Sequence, residues 1–439
     1  MPKKKAASAS PFVPEDEQPY PIPENWCWTR LKALVETSKE KTDIFLDDNM
    51  RYVGLEHIEK DGGIIGYSSA TKVKSLKAVF HVGQILYGKL RPYLNKHDVA
   101  GFDGVCSTDI LVFNARNCAK NRYINYFLDQ RNFIEYAVSN SKGINLPRVS
   151  ESVILEAVCP LPPLSEQHRI VTRIESLFAK LDEAKEKAQA VVDGFELRKS
   201  AILHKAFTGE LTERWRKEHG VSVDNWQYRK LSNVATVISG YAFSSDNFDE
   251  CNNIPCIKIT NVGVGNYISE NYEYLPTKFL DTYNRFKVNS GNILISLTRS
   301  YIAAGLKVCI CDEPRDSLLN QRVALIKNCN IRYIYYYLRS SAVLYYVKEK
   351  SKTTNQPNLS IKDLNNLLVP IPVESEQNEI VSVLNNLLDK EEYVKSTAEA
   401  VLSQIDTMKK AILARAFRGE LGTNDPAEES AEELIKAVL

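Results

Sequence analysis

Two stretches of the chain concentrate side chains able to read a nucleic acid. YGKLRPYLNK (Tyr87–Lys96) supplies Lys89, Arg91, Tyr93, Asn95 and Lys96, and the aligned ISLTRSY (Ile295–Tyr301) supplies Thr298, Arg299 and Tyr301. LLNQRVA (Leu318–Ala324) adds Asn320, Gln321 and Arg322, and GYAFSSDNF (Gly240–Phe248) adds Tyr241, Ser244 and Ser245. Lys142 and Lys352 occupy matching loops ahead of Asn145 and Asn355. Arg and Lys bond guanine edges, and Asn and Gln bond adenine edges, in the major groove. Lys also contacts phosphates, which sets register without reading sequence. The candidate DNA contacts are therefore Lys89, Arg91, Tyr93, Lys96, Lys142, Ser244, Thr298, Arg299, Asn320, Gln321, Arg322 and Lys352. Taken singly, each is equally at home as a solvated loop side chain. The same basic and aromatic mixture in two places of one chain is what points to DNA.

Other chemistry finds no support. The sequence has no GxxxxGK(S/T) phosphate loop, no HExxH, no GxSxG and no EF-hand pattern. It also lacks the Asn-Pro-Pro-Tyr or Asp-Pro-Pro-Tyr motif of adenine methyltransferases. Scattered acids such as Asp103 and Asp109 do not make a nuclease site, so no catalytic residue is assigned. The nine cysteines form no CxxC pair, Cys309 and Cys311 are too close for a usual zinc pair, and the six histidines do not cluster. Reduced thiols in a cytoplasmic protein, with no metal, are the expectation. No run approaches the roughly 20 apolar residues of a membrane span.

Net charge is only +1, but it is unevenly spread. Residues 21–164 carry 18 basic and 16 acidic side chains, 221–374 carry 17 and 13, and 375–439 carry 7 and 13. Two mildly basic segments permit local phosphate contacts without demanding them.

These candidates must be positioned by a repeated architecture. Pro160–Leu211 aligns without gaps to Pro370–Leu421, with 22 of 52 positions identical. PLPPLSEQ answers PIPVESEQ, and KSAILHKAFTGEL answers KKAILARAFRGEL. The match extends to SKGINLPRVS (Ser141–Ser150) against SKTTNQPNLS (Ser351–Ser360), RYINYFL (Arg122–Leu128) against RYIYYYL (Arg332–Leu338), and ENWCWTRL (Glu24–Leu31) against DNWQYRKL (Asp224–Leu231). The chain is two copies of one unit, a variable domain followed by a more constant segment.

Each constant segment has a heptad seam. The helix-packing positions are Ile170, Ile174, Leu177, Leu181, Val191 and Phe195 in the first, and Ile380, Leu384, Leu387, Val394, Val401 and Ile405 in the second, where Glu391 alone interrupts. Ser165 and Ser375 suit the helix starts, with Glu166 and Glu376 at the positive dipole end. Gly209 and Gly419 suit the stops. Helices of about 40 residues, roughly 60 Å long, follow. Matched lengths and seams favour antiparallel pairing, which would relate the halves by a pseudo-two-fold axis with a globular domain at each end of a rod.

The fold class expected is α/β: two α/β globular domains joined by two long antiparallel coiled-coil helices in a tandem repeat. Candidate strands are Ile85–Tyr87, Ile110–Phe113, Ile257–Ile259 and Ile293–Ser296, and candidate helices are Tyr123–Ser139 and Ile331–Lys348. The boundaries read as a flexible N-terminal tail (1–19), domain one (20–164), first helical spacer (165–219), domain two (220–374), second spacer (375–421) and an acidic C-terminal tail (422–439).

The duplicated PLPPLSEQ and PIPVESEQ entries, the long helices and the AFTGEL and AFRGEL exits resemble the specificity subunits of type I restriction-modification enzymes. So do the Asn-Trp domain openings, VGLEHI (Val53–Ile58) and GQILYGKLRPY (Gly83–Tyr93). The resemblance covers about residues 20–421. It implies a non-catalytic subunit whose two domains each read half of a split, asymmetric DNA target, with the helices as ruler. It also implies two methyltransferase and two motor-nuclease partner subunits, which would hold S-adenosylmethionine, ATP and Mg²⁺ and modify adenine N6. Two alternatives stay open: a methylation-only or phase-variable system, and a coiled-coil scaffold whose end domains bind proteins.

Overall fold

The computed structural model describes residues 10–43, 50–72, 75–351 and 357–438. The chain divides into two compact units, Met1–Ala188 with Ala400–Leu439, and Gln189–Glu399.

In the first unit, continuous apolar runs form strands buried on both faces, as expected for short uninterrupted hydrophobic segments. Ile85–Gly88 lies inside a four-stranded antiparallel sheet, ordered Val35–Thr37, Ile110–Ala115, Ile85–Gly88, His97–Val99. A five-stranded sheet is ordered Lys41–Thr42, Lys77–Phe80, Gly104–Cys106, Arg51–Val53, Ser68–Ser69, with Arg51–Val53 and Gly104–Cys106 parallel. Cys27–Arg30 pairs with Val158–Leu161, closing the domain on itself.

The second unit repeats this plan with a divergent sequence. Its antiparallel sheet is ordered Thr236–Ser239, Val323–Lys327, Ile293–Ser296, Val308–Ile310. Its mixed sheet is ordered Glu273–Leu275, Ile254–Ile257, Ser317–Leu319, Lys287–Val288, again with one parallel pair. Gln227–Lys230 pairs with Leu368–Ile371. The strand expected at Ile257–Ile259 instead ends at Ile257.

Each long domain helix expected from sequence is two helices at an elbow. Asn121–Leu128 and Arg131–Ser139 are split where Gln130 is extended (φ −68°, ψ 134°). Ile331–Leu338 and Ser341–Lys350 are split where Ser340 is extended and its hydroxyl accepts from the Val343 amide. Apolar periodicity runs through both breaks, which is why they are invisible to it.

The SEQ motif has a structural cause in both units. Glu166 and Glu376 sit in the first helical turn, fully buried. The Trp26 indole donates to Glu166 (2.8 Å), and the Trp226 indole donates to Glu376 (3.0 Å). Gln167 donates to the Pro162 carbonyl and Gln377 to the Pro372 carbonyl, both at 3.0 Å. Tyr123 and Tyr333 donate to the Pro160 and Pro370 carbonyls. Burial pushes the Glu166 carboxyl above its ordinary range, opposed by the Trp26 and Thr423 donors. In the second unit the buried Arg216 guanidinium meets Glu376 at 2.6 Å, supplying the charge that a buried carboxylate requires. The motif is thus a buried clamp between domain opening and helix start. Ser165 and Ser375 lie inside the first turn rather than capping it, and the Ser165 hydroxyl donates to Glu428 instead.

The first long helix runs Leu164–Asp193 and resumes at Phe195–Phe207 after Gly194; the second is continuous over Glu374–Ala416. Gly209 (φ 86°) ends the first as expected. In the first unit Asp182 pairs with Lys409 (2.6 Å), whose ammonium lies over the Phe178 ring. In the second, Arg198 pairs with Glu391 (2.7 Å) and Lys395 lies over the Phe195 ring. Numbers rise on one helix as they fall on the other, so the pairing is antiparallel. Glu391, the apparent break, belongs to the seam.

That corrects the register. Ile170, Ile174, Ile380 and Leu384 are buried, packed largely against their recognition domains, and Phe195 and Ile405 are buried too. Leu177, Leu181, Val191 and Leu387 are half-buried. Val394 and Val401 are not in the seam; they are 45% and 39% exposed. Beyond Leu384 the seam passes through Leu388, Glu391, Lys395, Ala398, Leu402 and Ile405. The polar pair and the cation–ring contact hold positions that hydrophobicity alone assigns to their valine neighbours.

The described parts of the two expected tails, 10–19 and 422–438, are not plain tails; residues 1–9 lie outside the described residues. Phe12 bridges Thr29 and Val13 is buried, its amide bonded to the Trp28 carbonyl. The expected acidic tail contains the helix Ala431–Val438, whose Ala431 and Ile435 (i, i+4) enter the core of the first unit. Arg169 forks onto both Glu428 oxygens at 2.8 Å and, with Ser165, holds that carboxyl down at about 2. No helix among the described residues is long and apolar enough to cross a membrane.

Candidate nucleic-acid interface

In the first domain the strand Ile85–Gly88 runs into Lys89, whose amide bonds the Asp109 carbonyl (2.7 Å) and whose carbonyl accepts from Val149 (3.1 Å). Arg91 follows in a left-handed conformation (φ 53°), its amide on the Pro147 carbonyl. Lys142 and Arg148 exchange both backbone bonds at 2.8 Å and close the intervening loop. Arg148 pairs with Asp109 (3.0 Å). Lys89, Arg91 and Lys142 are thus brought into one patch, with Arg91 and Lys142 exposed.

The second domain builds the same patch. Leu297, at the position of Lys89, donates its amide to the Arg322 carbonyl (2.8 Å) and accepts from Leu359 (2.8 Å). Thr298 bridges Asn358, as Leu90 bridges Arg148. Arg299 is left-handed (φ 49°) and exposed. Burial lowers the pKa of the nearby Lys307 ammonium, and the Arg299 charge lowers it further. A left-handed arginine is uncommon and costs of order 1 kcal/mol. Finding it at matching positions of two divergent domains marks both residues. Neither guanidinium has a protein partner among the described residues.

Asn320, Gln321 and Arg322 form the turn before Val323–Lys327, beside Leu297. With Phe243, Phe248, Lys258 and Glu273 they line a cavity of about 330 Å³.

Other predicted contacts lie apart. Lys96 spends its ammonium on the Leu55 carbonyl (2.7 Å), a structural bond that removes it from the free cations. Tyr93 is exposed but lines a separate cavity with Lys60 and Asp61. Ser244 is exposed on the loop beside Phe243. Lys352 lies outside the described residues. Asp109 and Arg148, which the structure brings to this patch, are not among the sequence candidates. Position 148 is Arg in one repeat and Asn358 in the other, so the alignment could not flag it. Among the described residues no group of three or more His, Cys, Asp or Glu is placed to hold a metal.

A duplicated domain with one variable, cation-bearing face per copy, each clamped to a constant helix, is the design of a two-site reader. The family model for the type I restriction modification DNA specificity domain matches residues 23–192 and again 223–402. The chain belongs to this family and carries two copies of its domain, so its class is that of DNA-recognition subunits. It is 33% identical over 201 residues to the type I restriction enzyme EcoDI specificity subunit of Escherichia coli, an alignment covering 45% of each chain. It is 26% identical over 420 residues to the MjaVIII specificity subunit of Methanocaldococcus jannaschii, covering 91% of this chain and 94% of that one. The solved HsdS subunit from Thermoanaerobacter tengcongensis shares the fold, with a TM-score of 0.69 at 22% identity, over 92% of this chain and 100% of that one.

Proposed function

We propose that this chain is the non-catalytic specificity subunit of a type I restriction-modification complex. Each domain reads one half of a bipartite, asymmetric DNA target, and the helical spacers set the gap between halves. Two methyltransferase subunits methylate adenine N6 on a flipped-out base, and two motor-nuclease subunits restrict. S-adenosylmethionine, ATP and Mg²⁺ belong to those partners.

The observation that carries this reading is the pair of left-handed arginines, Arg91 and Arg299, without a side-chain partner among the described residues, on matching crossings of two family-matched domains. The same frame with different surrounding side chains is what reading two different half-sites needs. The test is affinity of the chain, assembled with its methyltransferase partner, for duplexes across a salt series. The reading predicts one preferred split sequence and affinity that falls linearly with salt on logarithmic axes. Sequence-independent, salt-insensitive behaviour would favour a protein-binding scaffold.

A further inference from the structure

The two domains share a turn built by matching bonds and armed with unrelated side chains. Ser107 donates its amide to the Val53 carbonyl (2.9 Å), and Asn320 donates to Ile257 (3.0 Å). Ile110 closes the first turn onto the Ser107 carbonyl (2.9 Å), and Val323 closes the second onto Asn320 (3.0 Å). Asp109 accepts from the Lys89 amide, and Arg322 accepts from Leu297. Each turn then carries a second and a third side chain, Thr108–Asp109 in one domain and Gln321–Arg322 in the other.

The chemistry of those projections is inverted. Asp109 is an acid that holds a guanidinium delivered from the neighbouring loop by Arg148. In the second domain position 358 is Asn, and the guanidinium comes from the turn itself, as Arg322, exposed and without a side-chain partner among the described residues. This turn is also the more rigidly backed. The Gln321 amide bonds the Tyr241 carbonyl (3.0 Å), and Gly240 packs so tightly that a Cβ there would lie 2.1 Å from the Asn320 carbonyl oxygen. Tyr241 packs edge-on against Phe243 and tilted against Tyr283 and Phe286.

We propose that the turns Ser107–Asp109 and Asn320–Arg322 are the corresponding specificity elements of the two domains, and that Arg322 reads a guanine edge in the major groove of the second half-site. The inference rests on the chain being a DNA-recognition subunit. A planar guanidinium fork on a fixed backbone matches guanine O6 and N7, and fixing the backbone in advance removes the ordering cost of binding. A phosphate contact needs neither the rigid frame nor the fork.

The experiment measures affinity of the complex with its methyltransferase partner for the target duplex and for duplexes with each base pair changed in turn. Wild type and the Arg322→Ala and Arg322→Lys variants are compared. Arg322 is exposed, so unchanged melting is the folding control. Arg322→Ala should lose about tenfold discrimination at one G·C pair of one half-site, and Arg322→Lys, which keeps the charge without the planar fork, should lose part of it, with every other position and the other half unchanged. Uniform weakening on all duplexes, or discrimination equal to wild type, would overturn the assignment. A wild-type complex that itself discriminates nothing would instead remove the reading on which the assignment rests.

Discussion

At the scale of single residues, what sets two candidates apart from the rest is backbone geometry rather than residue type. Arg91 and Arg299 belong to a long set of loop cations, and nothing in their identity separates them from Lys96, which is consumed by a carbonyl. Their left-handed φ does separate them. Strain kept at matching positions predicts opposed effects on stability and binding. Glycine adopts this conformation freely, so Arg91→Gly and Arg299→Gly should each stabilise the chain, by about 1 kcal/mol in denaturant unfolding. Each should also weaken DNA binding by the assembled complex. Glycine variants that bind as wild type would show the arginines to be bystanders. The Asp109–Arg148 pair was illegible in sequence for a related reason: its partners are 39 residues apart and absent from the other repeat.

At the scale of elements, the strands and long helices were readable because their periodicities are strong, as at Ile85–Gly88 and Glu374–Ala416. The register of the second helix was not. A hydrophobic pattern ranks Val394 and Val401 above Glu391 and Lys395, yet Glu391 enters the seam because Arg198 meets it, and Lys395 because the Phe195 face receives it. The two registers make different predictions. Leu384→Ala should cost about 2–5 kcal/mol, as for buried aliphatic truncations, whereas Val401→Ala on the exposed face should fall within about 0.5 kcal/mol of wild type. Chemical denaturation of the two variants measures this, and a comparable loss for Val401→Ala would restore the register that puts Val401 against the partner helix. The elbows at Gln130 and Ser340 escaped notice because apolar periodicity is unbroken across them.

At the scale of the whole molecule, the duplication was legible from the 52-residue match alone, and it carried the fold class with it. What it could not show is that the first compact unit draws on distant parts of the chain. The core of the first unit takes Ile170 and Ile174 from the start of one long helix, Leu413 and Phe417 from around the end of the other, and Ile435 beyond it. The acidic composition of residues 422–439 reads as a solvated tail, but three contacts (Arg169–Glu428, Ala431 and Ile435) tie it down. The same frame is used twice, with divergent faces, and that asymmetry is the central claim: one chain, two different half-sites. Mapping N6-methyladenine across host DNA with and without this gene tests it most directly. The account predicts a split motif with two unlike halves that vanishes when the gene is removed; a modification pattern that does not change on removal would contradict it.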